Sequence, residues 1–350
     1  MKILLPILAM GVLVVSGCTS QVGYLAKQGS SLLRTSSGAR SVQSLVDDAS
    51  TPAETREFLL RVQDIKGFAV QTVGLKNNDN YTSYKEIDSD HLVDVVQACS
   101  AVSFDAYTWS YPFLGRLPYR GYYERPDAIA EASRLKGEGY DVIVRPVDAF
   151  STLGFTKDPL YSFMKKYSAF RIASLIIHEQ THATLFLKGQ AEFNEEMASF
   201  VGDEGAFEWL RETYGEGSQE FREAVDSQAD SKLYISLLHG LSTRLRVVYD
   251  SGSPREEKLA RKAEIIGQFR TELAGSTAEQ FRTADYAHLE KITLNNALLS
   301  LYSLYSDDVP LLRSWFQEKC GGSLKRFMES MKALASHGDV KAQIRTGLLQ

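Results

Sequence analysis

Between Thr51 and Leu75 the apolar residues Phe58, Leu59, Val62, Ile65, Phe68, Ala69 and Val73 recur every three to four positions, which predicts an amphipathic helix. Thr51 and Glu54 stand at capping-box spacing at its start. The pattern then changes. "HLVDVVQACSAVSF" and "YPFLGRLPYRGYY" are rich in valine, aromatic residues and glycine and read as strands and turns. "RPDAIAEASRLKGEGY" places Pro126 at an early helical position and closes at Gly137 and Gly139, so a helix separates these strands from a further one in "YDVIVRPVDAFSTLGF". After about Met164 the period is helical nearly to the end, with breaks at Gly215 to Gly217, Ser251 to Pro254, and Gly321 to Gly322. The expected fold class is α+β and mainly helical: a small sheet region followed by a large helical region.

The first twenty residues, "MKILLPILAMGVLVVSGCTS", carry one cation, an apolar run from Ile3 to Val15, and small residues before Cys18. The run is short for a membrane span and is placed as the core of a signal peptide. Val15-Ser16-Gly17-Cys18 resembles a bacterial lipobox, which makes Cys18 the expected lipidation site and the membrane a partner through that lipid, as an anchor rather than a span. Thr19 and Ser20 follow without the aspartate that retains lipoproteins in the inner membrane, so the expected location is the outer membrane, facing the periplasm. Residues from about Val22 to Asp47 read as a polar, serine-rich tether. The expected divisions are 1–17 signal peptide, 18–50 anchored tether and first helix, 51–165 α+β region, and 166–350 helical catalytic region.

With 350 residues, 44% of them hydrophobic, the chain can bury a large core. Its net charge of −5 and lack of a long basic run argue against nucleic acid as a partner. Beyond Cys18, only Cys99 and Cys320 remain, and neither has a second cysteine at metal-ligand spacing.

The chemistry gathers in "LIIHEQTHATLFL". On a helix, His178 and His182 lie one turn apart on one face and can present ring nitrogens to one ion, while Glu179 projects where it can act on a water that the ion activates. The competing reading is a core helix that happens to carry two histidines. A third ligand decides between them. Just downstream, after the helix stop Lys188-Gly189, a second helix opens with Asn194-Glu195-Glu196. Small residues Ala198, Ser199, Gly202 and Ala206 on the face of Glu195 let the two helices approach, so Glu195 is preferred to Glu196 as the ligand. Ser199 and Asn194 are candidate supports of the ligands in an outer shell. A tetrahedral zinc site then has three protein ligands and one open position, with one Zn2+ per chain.

H-E-x-x-H followed by N-E at a helix start resembles the gluzincin metallopeptidases, and the chain resembles more closely the zinc aminopeptidase family of proteobacterial lipoproteins. The stretches that carry this likeness are "VGYLAKQGSSLL", "IKGFAVQTVGL", "NYTSYKEI", "LPYRGYY", "DAFSTLGFTKDPLYSF", "IIHEQTHATLFLKGQAEFNEEMASFVGDEGAFEWL" and "LNNALLSLYSLY". The resemblance implies zinc on His178, His182 and Glu195, Glu179 as general base, and a peptide substrate. The spacing from His182 to Glu195 is shorter than in the best-known gluzincins, which demands a tight connection. The G-x-M-E-N segment with which alanyl-type enzymes hold a substrate amino group is absent.

Other roles remain open at this stage. Candidates to stabilise the oxyanion are Tyr302, His239 and Tyr119. "AFSTLGF", with Ser151, Thr152 and Gly154, reads as an edge strand for an extended peptide or as an ordinary turn. Arg120, amid Tyr119, Tyr122 and Tyr123, is a candidate for a substrate carboxylate. A thermolysin-like endopeptidase and a non-catalytic metal-binding envelope lipoprotein are the competing functions.

Overall fold

The structure, a computed structural model, describes residues 15–111, 115–148, 158–275, 277–302, 309–336 and 338–349. The edge-strand segment with Ser151, Thr152 and Gly154 lies outside the described residues. In chain order come α1 (Val15–Ser36), β1 (Arg40–Ser41), α2 (Val42–Asp47), α3 (Ala53–Gln71), β2 (Ser83–Lys85), β3 (Val93–Ser100), β4 (Trp109–Tyr111), β5 (Gly115–Leu117), β6 (Tyr119–Tyr122), α4 (Arg125–Gly137), β7 (Tyr140–Val147) and β8 (Leu160–Tyr161). Helices follow: α5 (Ala169–Thr184), α6 (Ala191–Tyr214), α7 (Gln219–Tyr249), α8 (Arg255–Ala274), α9 (Asn296–Tyr302), α10 (Val309–Glu318), α11 (Leu324–Ala335) and α12 (Val340–Leu348). The fold is α+β and mainly helical, and among the described residues the strands lie in the first half.

The expected helix over 51–75 is α3, but it begins at Ala53 with Pro52 as its cap, and the buried Thr51 hydroxyl has no partner among the described residues. Proline fixes the entry one residue late for the capping box, because its ring presets φ for a helix start. The segment expected as a polar tether is instead helical as far as Ser36. Its polar residues find partners at helical spacing on the sheet region: Tyr24 donates to the Gly121 carbonyl at 2.7 Å, Lys27 pairs with Asp127 at 2.6 Å, Gln28 accepts from the Tyr123 amide at 3.1 Å, and Arg34 pairs with Glu124 at 2.6 Å. Contacts between distant parts of the chain, rather than an apolar stripe, order this helix.

β3 lies between β6 and β7 and is antiparallel to both. β6 and β7 are therefore parallel, and α4 makes the crossover between them. Alternation splits β3 between two environments: Val93 and Val95 join the main core, while Val96 and Ala98 pack with Ala128, Ala132 and Leu135 of α4. A second small sheet runs β1-β2-β8, with β2 and β8 parallel. The main core is built by α3, α5, α6 and α10 to α12 around Phe58, Ile65, Ile172, Ile176, Trp209 and Phe327. A separate core under α7 to α9 holds Leu238, Leu241, Leu245, Phe269 and Leu299. Cys99 and Cys320 are both free and buried, in different clusters. Among the described residues no helix is long and apolar enough to cross a membrane.

Candidate metal centre

Helix α5 is capped by Ser168, whose hydroxyl accepts the Arg171 amide, and it buries Ile172, Ala173, Ile176 and Ile177 in the main core. Each fully buried isoleucine contributes roughly 1.5–3 kcal/mol, so the helix orientation is firmly set. Gln180 and Thr181, between the two histidines, are fully buried, and Thr184 anchors the passing loop by accepting the Lys76 amide at 2.8 Å. His178, Glu179 and His182 are left half-buried on the other side of this turn of the helix.

Helix α6 brings the third group. It crosses α5 at Gly202 and Gly205: a methyl group on Gly202 would lie 2.8 Å from the Ser174 carbonyl oxygen and 3.2 Å from the His178 Cβ, and one on Gly205 would lie 3.0 Å from Ile177. Only glycine permits that approach at the first position. Asn194 fixes the connection. Its buried amide donates to the Leu187 carbonyl and accepts from the Leu187 amide, both at 2.8 Å, so the short turn between the helices closes on a side chain that imitates a strand partner. One residue later, Glu195 emerges toward the histidines.

The Nε2 atoms of His178 and His182 are 3.0 Å apart, and the Glu195 oxygens lie 3.6 and 3.4 Å from them. Three ligand atoms thus fall within 4.8 Å of one another. Tetrahedral coordination with bonds of roughly 2.0–2.2 Å separates ligand atoms by roughly 3.3–3.6 Å, so this donor set fits a zinc-sized ion. Glu196 points elsewhere: it is buried and pairs with Lys341 at 3.5 Å.

Hydrogen bonds from His178 and His182 hold Glu195 well below the usual carboxylate range. Burial works to depress His182, but the hydrogen bond and charge of Glu195 and the charge of Glu179 outweigh it and raise the imidazole. Among the described residues, the buried His182 Nδ1 has no hydrogen-bond partner.

Asn194 touches the turn rather than a histidine, so its contribution is to position Glu195. Ser199 is exposed on α6 and makes no hydrogen bond to either histidine. The polar group that does stand behind them is Asp203, one further turn along. It accepts the Ser174 hydroxyl at 2.7 Å and Gln228 at 3.0 Å, and its charge reaches His178. Its spacing of eight from Glu195, two turns of helix, is the signal that marks it in the sequence.

Tyr119 and Arg120 part company because β6 alternates. Tyr119 pairs with Gln97, on the opposite face of the strand from Arg120. Burial, with the charge of Glu195 added and that of Arg145 opposing, raises its phenol. Arg120 pairs with Val96 on the other face, where its guanidinium lies 3.8 Å from the centre of the Tyr24 ring and holds α1 in place. The contacts of Tyr302 run to Tyr234, edge-on at 5.3 Å, and to His239 through its carbonyl at 3.0 Å, in the separate helical core.

Two residues near Glu179 carry no pattern in the sequence. Asp158 precedes β8. Burial, with the charge of Glu179 added, pushes its carboxyl up to about 6. Tyr81 precedes β2 with φ of 60° and is 3% exposed, and its amide donates to the Asp158 carbonyl at 2.7 Å. Burial first, then the charges of Glu179 and Asp158, raises its phenol well above the ordinary value.

A family model described as "Putative aminopeptidase" matches residues 23–345, nearly the whole chain. No curated protein and no solved structure matches it.

Proposed function

We propose, from the premise that the chain belongs to this aminopeptidase family, that it hydrolyses peptide bonds at one zinc ion held by His178, His182 and Glu195, releasing residues from free amino termini of short peptides. The observation that carries the reading is the convergence of those three ligand atoms, with Glu179 one residue from the first and outside the ligand set. The ion, when bound, supplies Lewis-acid polarisation of a water and of the peptide carbonyl. Glu179 accepts the proton of the attacking water and delivers it to the leaving amine. Tyr119, neutral at physiological pH and within the field of Glu195, donates to the developing oxyanion, a role better supported for it than for Tyr302 or His239. Asp203 and Asn194 keep α5 and α6 in register so that the ligand atoms stay converged. In the same reading Cys18 carries the lipid that holds the enzyme on the periplasmic face of the outer membrane.

Metal content and turnover together test the reading. The wild-type protein takes up one zinc and cleaves peptides with free amino termini. Glu179→Gln keeps the zinc and loses about 10²- to 10⁴-fold in kcat, whereas His182→Ala loses metal and turnover together. Full turnover by Glu179→Gln removes the proposed mechanism. Equal cleavage of N-acetylated peptides identifies an endopeptidase, and zinc uptake without hydrolysis identifies a structural metal.

A further inference from the structure

Two cavities adjoin along the β4–β5 hairpin. One, of about 720 Å³, lies between the loop after β3, the turn that closes α4 and the first residue of α8. The other, of about 690 Å³, lies between α1 and α4. Tyr107 and Thr108 line both, so the two form one groove. None of its lining residues belongs to the candidate metal centre, and Arg120 enters it from the face of β6 opposite to Tyr119.

Three arginines line this groove, Arg116 and Arg255 in the first cavity and Arg120 in the second. Elsewhere arginines sit on carboxylates, as Arg34 does on Glu124, Arg125 on Asp94 and Arg313 on Glu204. Among the described residues none of the three in the groove has an ion-pair partner. Neutral groups hold them instead. Arg116 donates from Nε to the Thr108 hydroxyl at 2.8 Å, Arg255 donates to the Gly139 carbonyl at 3.3 Å, and Arg120 lies 3.8 Å from the centre of the Tyr24 ring. The Nε of Arg120 is buried and has no hydrogen-bond partner among the described residues, an arrangement that is costly unless a ligand supplies the acceptor. The acids of the groove do not answer these cations. Glu131 and Glu138 are taken by Arg134, and Asp127 by Lys27. Asp105, which accepts the Ser103 hydroxyl, is the only lining acid without a cation among the described residues.

A guanidinium fork matches a carboxylate or a phosphate, either of which accepts two parallel N–H bonds. Arginines distributed along a groove, rather than gathered at one point, suit a ligand whose charges are strung along a chain. The rings of Tyr24, Trp109 and Tyr122 in the wall offer apolar area to the methylenes that carry such charges. A bare phosphate ion would engage one end of the groove and leave the rest. Arginine clusters are a recurring means of reading acidic peptide motifs.

We propose that this groove binds an acidic stretch of peptide, with carboxylates on Arg116, Arg120 and Arg255, at a site separate from the metal centre. That the ligand is a peptide rests on the function proposed above; that it is an anion rests on the three arginines.

The test is calorimetric titration of the full chain, metal-free and zinc-loaded, with N-acetyl-hexaglutamate amide and N-acetyl-hexaglutamine amide. Acetylation leaves these probes without a free amino terminus, and the net charge of −5 repels the acidic one in general, so affinity for it reports a local site. The wild type is expected to bind hexaglutamate at least about 10-fold more tightly than hexaglutamine, with or without zinc. Arg116→Gln and Arg255→Gln are each expected to weaken hexaglutamate about 10- to 100-fold, the worth of a charge-assisted hydrogen bond, with hexaglutamine unchanged. Both side chains are exposed, unlike Arg120, which also supports α1, so these variants keep the fold. Equal affinity of the wild type for the two probes overturns the proposal, as does unchanged affinity in both variants or binding that requires zinc. Displacement of hexaglutamate by an equal concentration of inorganic phosphate overturns it too, by identifying a site for a small ion. Hydrolysis of peptides with free amino termini is followed in parallel. Hexaglutamate binding without hydrolysis overturns the peptidase reading and sustains the acidic-peptide site. Hydrolysis without hexaglutamate binding does the reverse.

Discussion

The burial of the Asp158 carboxyl beside the charge of Glu179 has a consequence for stability. An isolated aspartate ionises near its model value of 3.8, whereas burial and the charge of Glu179 push the folded carboxyl up to about 6. The folded chain therefore holds this proton more tightly than the unfolded chain. The resulting stabilisation is fully present below pH 3.8 and is lost as pH rises through about 6. Replacing Asp158 with asparagine removes that dependence. Thermal melts of the metal-free protein are expected to show Asp158→Asn above the wild type by a few degrees at pH 7, with the two converging near pH 4; a wild type that melts higher at pH 7 contradicts the assignment. Residues of this kind are the ones that sequence reading misses. His178, Glu179 and His182 are legible because their spacing of one and four is a property of one helix. Glu195 is legible because it opens the next helix after a short turn. Asp158 and Tyr81 come from separate loops brought together by the pairing of β2 with β8, and no local period records that. Tyr302 shows the converse: among 17 tyrosines, chain order does not say which one lies near the histidines, and its contacts run to Tyr234 and His239.

The crossing of α5 and α6 sets the spacing of the candidate ligand atoms, and it depends on the absence of a methyl group at Gly202. In Gly202→Ala the new Cβ meets the Ser174 carbonyl oxygen at 2.8 Å, a backbone atom that cannot turn aside. In Gly205→Ala the contact, at 3.0 Å, is the Cδ1 of Ile177, which can change rotamer. Gly202→Ala is expected to cost about 1–3 kcal/mol in denaturant unfolding and to weaken zinc affinity, because the helices must separate between the histidines and Glu195. Gly205→Ala is expected to cost less and to leave zinc affinity near wild type, since the clash lies on the side turned to the core. Equal effects on zinc would show that the site tolerates separation of the helices. Most helices and their ends were readable from periodicity and glycine, as at Gly215 to Gly217 and Ser251 to Pro254, where α6, α7 and α8 meet. Helix α1 was not. Its order comes from Tyr24, Lys27, Gln28 and Arg34 meeting partners about 90 to 100 residues away, which composition reads as tether.

Across the whole molecule, α1 is the element through which an anchored enzyme would be joined to its membrane. It is one helix from Val15 to Ser36, so the Cys18 backbone belongs to the same rod as Tyr24, whose ring covers Arg120 and whose hydroxyl reaches Gly121. Cys18→Ala is expected to move the protein from the membrane to the soluble fraction without changing its melting temperature, because among the described side chains of α1 the docking runs through Tyr24, Lys27, Gln28 and Arg34. A soluble variant that also melts lower would place Cys18 in the packing. Six helical residues rise only about 9 Å. A lipid at Cys18 would thus hold the catalytic body against the bilayer with little slack, more like a post than a leash. The distance of the body from the bilayer would then be set by a helix rather than by a flexible spacer.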